Sequence, residues 1–258
     1  MAQKTKAKKK TKKKVNKKLS KRARKIRYIM LWITIFAIFT GGVILFLMSD
    51  VFNISKITVT NNKKLTVEEI VQASTLQVNE NRFKKSKKKI INNIKTLSYV
   101  ENVKISKKLN GEIIVDIEER EATYMIKQGE KYAYIDNQGF ILEIAETPIV
   151  APIITGIESK NITEGSRLEV RDLKRLDTLI EICESAKSQN IGDLITEVNI
   201  DNEKNFILMI PSQAKTVEFG DGTDINIKIL KLIEVLKKTE GQEGTIFMRN
   251  RVYFSEKV

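Results

Sequence analysis

"YVENVKISKKLNGEIIVDIEER", residues 99–120, decides how the chain is read. Apolar and polar residues alternate through Val103 and Ile105, stop at Asn110-Gly111, and alternate again at Ile113, Val115 and Ile117. A period of two marks a strand with one buried face. Asn-Gly is the strongest short-range hairpin signal, because both residues tolerate positive φ in a two-residue type I′ turn. The stretch predicts two antiparallel strands joined by a tight turn.

Upstream, "RFKKSKKKIINNIKTL" (82–97) places Phe83, Ile90, Ile94 and Leu97 at offsets 0, 7, 11 and 14. That is one stripe of a helix with 3.6 residues per turn, its other face a run of lysines. Further back, "VFNISKITVTNNKKLTVEEIVQAS" (51–74) alternates through Ile54, Ile57 and Val59, turns at Asn61-Asn62, and enters a helix at Thr66. Thr66 and Glu69 form the T-x-x-E pattern of a capping box, and Ile70, Val71 and Ala73 supply an apolar side. The predicted order over residues 51–120 is β-α-α-β-β.

Before this module lies "YIMLWITIFAIFTGGVILFLM" (28–48), twenty-one uncharged residues. At about 1.5 Å per residue the segment matches a hydrocarbon core roughly 30 Å thick. Residues 1–27 hold fifteen lysines and arginines and no acidic residue. The chain's net charge is +14, so everything after residue 27 sums to −1 and the basic character belongs to the tail. Lysine-rich flanks stay cytoplasmic, which predicts a single-pass type II plasma-membrane protein with residues 49–258 outside. A cleaved signal peptide fits less well: its apolar stretch is typically ~7–15 residues and ends at small residues, whereas this one ends "LFLMSDVF". The tail lacks apolar surface to offset the entropy of ordering, so it is expected to be disordered and to meet anionic lipid rather than nucleic acid.

Downstream, residues 121–258 read as a second, mixed α+β module with an antiparallel sheet. Tyr132, Tyr134 and Ile135 lead to a turn at 136–139, and Phe140 to Ile144 lead away. Val170, Leu173, Leu176, Ile180 and Cys183 recur at helical steps. "LITEVNI", "NFILMI" and "KTVEF" are short strands, Ile225 to Leu236 is a helix, and "TIFMRNRVYF" (245–254) closes as a strand.

With these elements in place, the chain resembles the bacterial FtsQ/DivIB cell-division family: a basic tail, one span, then a POTRA domain of order β-α-α-β-β. "VDIEEREATYMI" resembles the segment leaving that domain, and "YAYIDNQGFIL" its tyrosine-rich hairpin. "APIITGI" is similar to its proline-containing link, and "VEFGDGTDINIKILKLIEVLKK" to its C-terminal strand and helix. Two departures, Asn61-Asn62 for a glycine and Ala122 for a proline, remove no chemistry. The resemblance implies a non-enzymatic scaffold at the division septum with bitopic partners of the FtsL and FtsB/DivIC kind, helping to place or regulate septal peptidoglycan synthesis.

The residues offer little for catalysis. With no histidine and one cysteine, a Ser-His-Asp or Cys-His arrangement cannot be built, nor a cysteine-histidine zinc site. Ser86–Lys89 and Ser212–Lys215 satisfy S-x-x-K, which keeps an exported serine-lysine hydrolase as an alternative, but the companion S-D-N and K-T-G elements are missing. A POTRA-bearing polypeptide-transport component is a further alternative, although no β-barrel sequence follows. Asp136, Asp201, Asp221 and Asp224 read as turn residues that bond their own backbone. "DGTD" lacks the spacing of a calcium loop, and Cys183 reads as a small buried apolar residue. No cofactor is expected.

Charge separates the two modules: residues 51–120 carry net +6 and residues 121–258 net −6. Lys84, Lys85, Lys87, Lys88 and Lys89 form a candidate face for anionic lipid or an acidic partner, against the plainer reading of a solvated helix face. The terminal strand supplies the candidate partner site: Phe247, Arg249, Arg251, Tyr253 and Phe254, on an edge able to accept a partner strand. Phe247 and Phe254 carry the competing reading of core residues, and Arg251 is placed as an edge donor.

Overall fold

The computed structural model describes residues 2–249 and 251–257, and side chains from residue 23 onward. The fold is mixed α+β behind one N-terminal apolar helix. Contacts gather the chain into two compact units, one of Met1–Ile57, Gln77–Ser86 and Lys107–Ile113, the other of Thr58–Leu76, Lys87–Ser106 and Ile114–Val258.

Helix α1 covers Ala2–Leu47, and within it Ala23–Leu47 is long and apolar enough to cross a membrane. The helix also runs back through the basic segment, where the composition predicts no fold of its own. Lysine, arginine and alanine are good helix formers, and a helix already nucleated by the span extends at little further entropic cost. The basic side chains of residues 1–22, on which the lipid expectation for the tail depends, lie outside the described residues.

Strand β1 (Lys56–Thr60), helices α2 (Val67–Ser74) and α3 (Lys87–Ile94), and strands β2 (Val100–Lys107) and β3 (Glu112–Glu119) realise the predicted β-α-α-β-β order. They form a three-stranded sheet of order β1-β3-β2. The capping box forms as read: the Glu69 N–H donates to the Thr66 hydroxyl at 3.2 Å, and the Thr66 N–H donates to the Glu69 carboxylate at 2.8 Å. Asn61 takes φ +64, as a turn asparagine can. The β2–β3 connection is not a type I′ turn. Only Gly111 has positive φ (+82), and the Lys108 N–H donates to the Glu112 carbonyl at 2.8 Å. Leu109, Asn110 and Gly111 thus form a three-residue loop with glycine in the left-handed position. Glycine is required there, since a Cβ would lie 2.8 Å from the Asn53 carbonyl oxygen.

The second expected helix is shorter than its stripe. It begins at Lys87; Ile90 and Ile94 are buried, while Phe83 sits in the preceding turn and is exposed.

Nine strands make the larger sheet: β4 (Tyr124–Gln128), β5 (Lys131–Ile135), β6 (Ile141–Ala145), β7 (Ile153–Thr155), β8 (Glu197–Asn199), β9 (Phe206–Ile210), β10 (Lys215–Gly220), β11 (Gly244–Phe247) and β12 (Tyr253–Glu256). Their order is β12-β11-β10-β9-β8-β7-β4-β5-β6. The sheet is mixed rather than purely antiparallel: β4–β7, β7–β8 and β10–β11 are parallel pairs. Helix α5 (Ile225–Lys238) joins parallel strands β10 and β11, which a short hairpin cannot do. Helix α4 (Val170–Ser188) packs by Leu176, Leu179, Ile182 and Ala186. This face is rotated from the expected stripe: Val170 is exposed, and Leu173, Ile180 and Cys183 are half-buried at its border. These side chains meet Ile126, Ile135, Ile154, Val198, Leu208, Val217 and Ile246 in one apolar core.

Candidate functional site

An edge strand is a docking site only if it is open, and the two edges of the nine-stranded sheet differ in this. Along β6, the Ile141 N–H donates to the Ser166 carbonyl at 2.9 Å, the Gly165 N–H to the Ile141 carbonyl at 2.8 Å, and the Ile144 N–H to the Glu164 carboxylate at 3.0 Å. Residues 164–166 therefore cover that edge. Strand β12 lies at the other end of the order, and β11 is its one partner strand among the described residues.

The expected single terminal strand is in fact a hairpin. β11 ends at Phe247 and β12 begins at Tyr253, paired antiparallel with Phe247 opposite Tyr253 and Ile246 opposite Phe254. Directly opposed residues share a face. Ile246 is buried and Phe254 packs beside it on the core, whereas Phe247 and Tyr253 stack on the other face with ring centroids 4.8 Å apart and planes 14° from parallel. Of the two candidate core aromatics, Phe254 faces the core and Phe247 the outer pair. Gly244 permits the close approach of the strands: a Cβ there would fall 2.2 Å from the Ser255 carbonyl oxygen.

Arg249 and Arg251 lie between the strands; Asn250 is outside the described residues. Arg249 pairs with Glu218 at 3.3 Å. Arg251 is exposed in the loop and is not an edge donor, which corrects the placement read from the sequence. The alternation over residues 245–254 looked continuous because Val252 also packs on the core. The register identifies the outward donors instead. The Lys257 N–H donates to the Glu243 carbonyl, so residues 257, 255 and 253 direct their main-chain groups toward β11, and Phe254 and Glu256 direct theirs to the free edge.

Lys215, which sequence reasoning placed only in an S-x-x-K pattern, underlies this edge. It is buried, its ammonium donates to the carbonyls of Gln213, Thr239 and Gln242, and it sits 5.1 Å from the Phe254 ring centroid. All three N–H donors are engaged by carbonyls, so the amine clamps the end of α5 and is not aimed at Ser212. Its signal in the sequence is a lysine in phase with the apolar Val217 and Phe219 of an alternating strand.

The lysine face divides. Lys84 and Lys85 belong to the turn before α3, with Lys85 paired to Glu80 at 2.8 Å. Lys87, Lys88 and Lys89 are exposed in the first turn of α3, which has no acidic residue. Cations at a helix N-terminus oppose the macrodipole, so their placement there does not serve helix stability.

Asp136 and Asp221 are turn residues as read: Asp136 accepts from the N–H groups of Gln138 and Phe140, and Asp221 from the N–H and hydroxyl of Thr223. A cavity of about 830 Å³ lined by Lys64, Tyr99, Asp116, Arg120 and Tyr134 has mostly charged walls. Beside it, the Lys64 ammonium and the Tyr99 hydroxyl both donate to Glu143, holding its carboxyl below the usual range.

Comparison with known proteins agrees with this architecture. Residues 52–120 match the POTRA domain, FtsQ-type, and residues 122–247 match FtsQ/DivIB, C-terminal related. The chain is similar to the cell division protein DivIB of Clostridium tetani, 29% identical over 75% of this chain and 73% of the relative. It is 30% identical to DivIB of Clostridium acetobutylicum over 78% of this chain and 82% of the relative, and 26% identical to DivIB of Bacillus subtilis over 83% and 78%. With that similarity spanning both the β-α-α-β-β module and the large sheet, the chain belongs to the FtsQ/DivIB family of cell-division proteins.

Proposed function

We propose that this protein is a non-enzymatic, single-pass scaffold of the division machinery, with its N-terminus cytoplasmic and residues 49–258 outside the plasma membrane at the septum. Residues 51–120 and 121–258 act as its two extracytoplasmic modules. The docking surface is the free edge of β12, which receives a strand of a bitopic partner of the FtsL or FtsB/DivIC kind and so helps to place septal peptidoglycan synthesis. One observation carries the reading: among the described residues no strand pairs with the main-chain groups of Phe254 and Glu256 on the outer side of β12, beside an exposed Tyr253, while β6 is covered. The basic tail adds attraction to anionic lipid.

The test uses two variants of the full chain. Glu256→Pro removes an outward N–H without removing a β11–β12 hydrogen bond, and Tyr253→Ala removes an exposed ring of a type enriched among interface anchors. Each should weaken co-isolation of the FtsB/DivIC-like partner from detergent-solubilised membranes while the unfolding temperature stays near the parent's. Normal partner recovery by well-folded variants places the docking surface elsewhere.

A further inference from the structure

We propose that residues 49–57, 77–86 and 107–113 form a collar that seats on the headgroup layer where α1 leaves the bilayer, with anionic lipid as its ligand. The inference rests on reading Ala23–Leu47 as membrane-spanning.

The collar is fastened to the end of the span. The Asn81 side-chain amide donates to the Leu47 carbonyl at 2.9 Å and the Ser49 carbonyl at 3.3 Å, while its oxygen accepts from the Phe83 N–H at 2.9 Å. Phe46, Phe52 and Phe83 follow one another edge-on at 5.2 and 5.5 Å. The Arg82 N–H donates to the Phe52 carbonyl at 3.0 Å, and the guanidinium lies 5.0 and 5.1 Å from the Phe52 and Phe83 rings. Asn81 thus satisfies the Leu47 carbonyl that the helix end leaves open, and the bonded chain is only a few residues from the hydrocarbon. The interfacial layer is roughly 5–8 Å deep on each side, so a segment tied to Leu47 sits in or against it.

The surface has the matching chemistry. Beyond Met48, eleven large apolar side chains are exposed among the described residues, and four of them, Val51, Val78, Phe83 and Leu109, lie in these short segments. Leu109 is 95% exposed at the tip of the β2–β3 loop. The same segments hold six basic and three acidic residues. Apolar side chains flanked by Arg82, Lys84 and Lys107 make the combination that interfacial lipid binding uses: partly inserted apolar groups and cations at headgroup level.

The test reconstitutes the full chain into phosphatidylcholine vesicles with or without phosphatidylglycerol. Leu109→Cys is labelled with bimane; the parent chain, with Cys183 alone, gives the background. Spin-labelled lipid quenches whatever lies at the membrane. Trp32, the chain's one tryptophan, reports the span in the same samples. Seating predicts quenching at 109 above the background, stronger with phosphatidylglycerol and reduced by salt. Lys84→Gln should weaken the seating equilibrium by roughly fivefold. Quenching of Trp32 without quenching at 109 overturns the collar and leaves the span intact, whereas unquenched Trp32 overturns both. Quenching at 109 that is equal in the two lipids overturns the anionic ligand. Shielding that grows with protein density assigns the surface to a second copy and overturns the lipid seat.

Discussion

Removing the Arg120 side chain isolates one buried charge and tests how the large unit is held together. The Arg120 guanidinium lies 2.6 Å from the Asp136 carboxylate, and the two side chains are only 10% and 3% exposed. It also stacks 3.8 Å from the Phe140 ring centroid, and the Arg120 main-chain N–H donates to the Tyr99 carbonyl at 2.7 Å. In Arg120→Ala, Asp136 keeps the two turn N–H groups at 2.9 and 2.8 Å but loses its countercharge. Breaking a buried pair from one side costs about 3–5 kcal/mol; the retained N–H donors favour the low end, and the lost ring contact adds about 1. A net loss of about 3–4 kcal/mol corresponds to roughly 10 °C in a unit of this size. The assay is thermal unfolding of the full chain in detergent, followed by near-ultraviolet circular dichroism in the tyrosine region, where five of the six tyrosines lie beyond α1 and the surviving helix backbone gives no signal. Arg120→Lys, which keeps the charge and loses the planar stack, should fall between Arg120→Ala and the parent. An Arg120→Ala melt within about 2 °C of the parent refutes the reasoning and means that Asp136 is solvated without the arginine.

Three further outcomes follow from other sites. Gly244→Ala should lower the unfolding temperature more than Gly129→Ala, because a Cβ at 244 meets the Ser255 carbonyl and the Phe254 ring, whereas at 129 nothing lies within 4 Å and alanine meets only the strain of φ +59; a shift at 244 no larger than at 129 would show that the β11–β12 spacing is loose. Burial pushes the Cys183 thiol up to about 12, so labelling by a thiol reagent at pH 8 should be slow in the native chain and fast in denaturant; rapid native labelling would contradict this. The Thr223 hydroxyl, then Lys228, hold Asp221 down at about 2, so its contribution is present above the ordinary aspartate value and lost as pH falls through about 2. Asp221 is half-exposed, which limits the effect to below about 1 kcal/mol, and Asp221→Asn should flatten the stability profile between about pH 4 and pH 2.

Local patterns carried most of the element inventory. The period-two alternation over 99–120, the Thr66–Glu69 capping box and the uncharged run at 28–48 are each satisfied by neighbours in the chain, so they were legible before any fold was known. The same holds for Asp136 and Asp221, whose turn bonds reach only two to four residues ahead. What needed the tertiary structure were relations between distant segments: that residues 164–166 cover β6 while β12 stays open, and that Lys215 bonds carbonyls 24 and 27 residues away while lying over the Phe254 ring. The misplacement of Arg251 has the same origin. A strand and a tight hairpin share one alternating pattern when the loop contains a residue such as Val252 that also packs inward, and only the pairing of β12 on β11 separates them. Periodicity records which side chains want burial; which strand lies beside which, and therefore which edge is free, is set by the packing of the whole sheet.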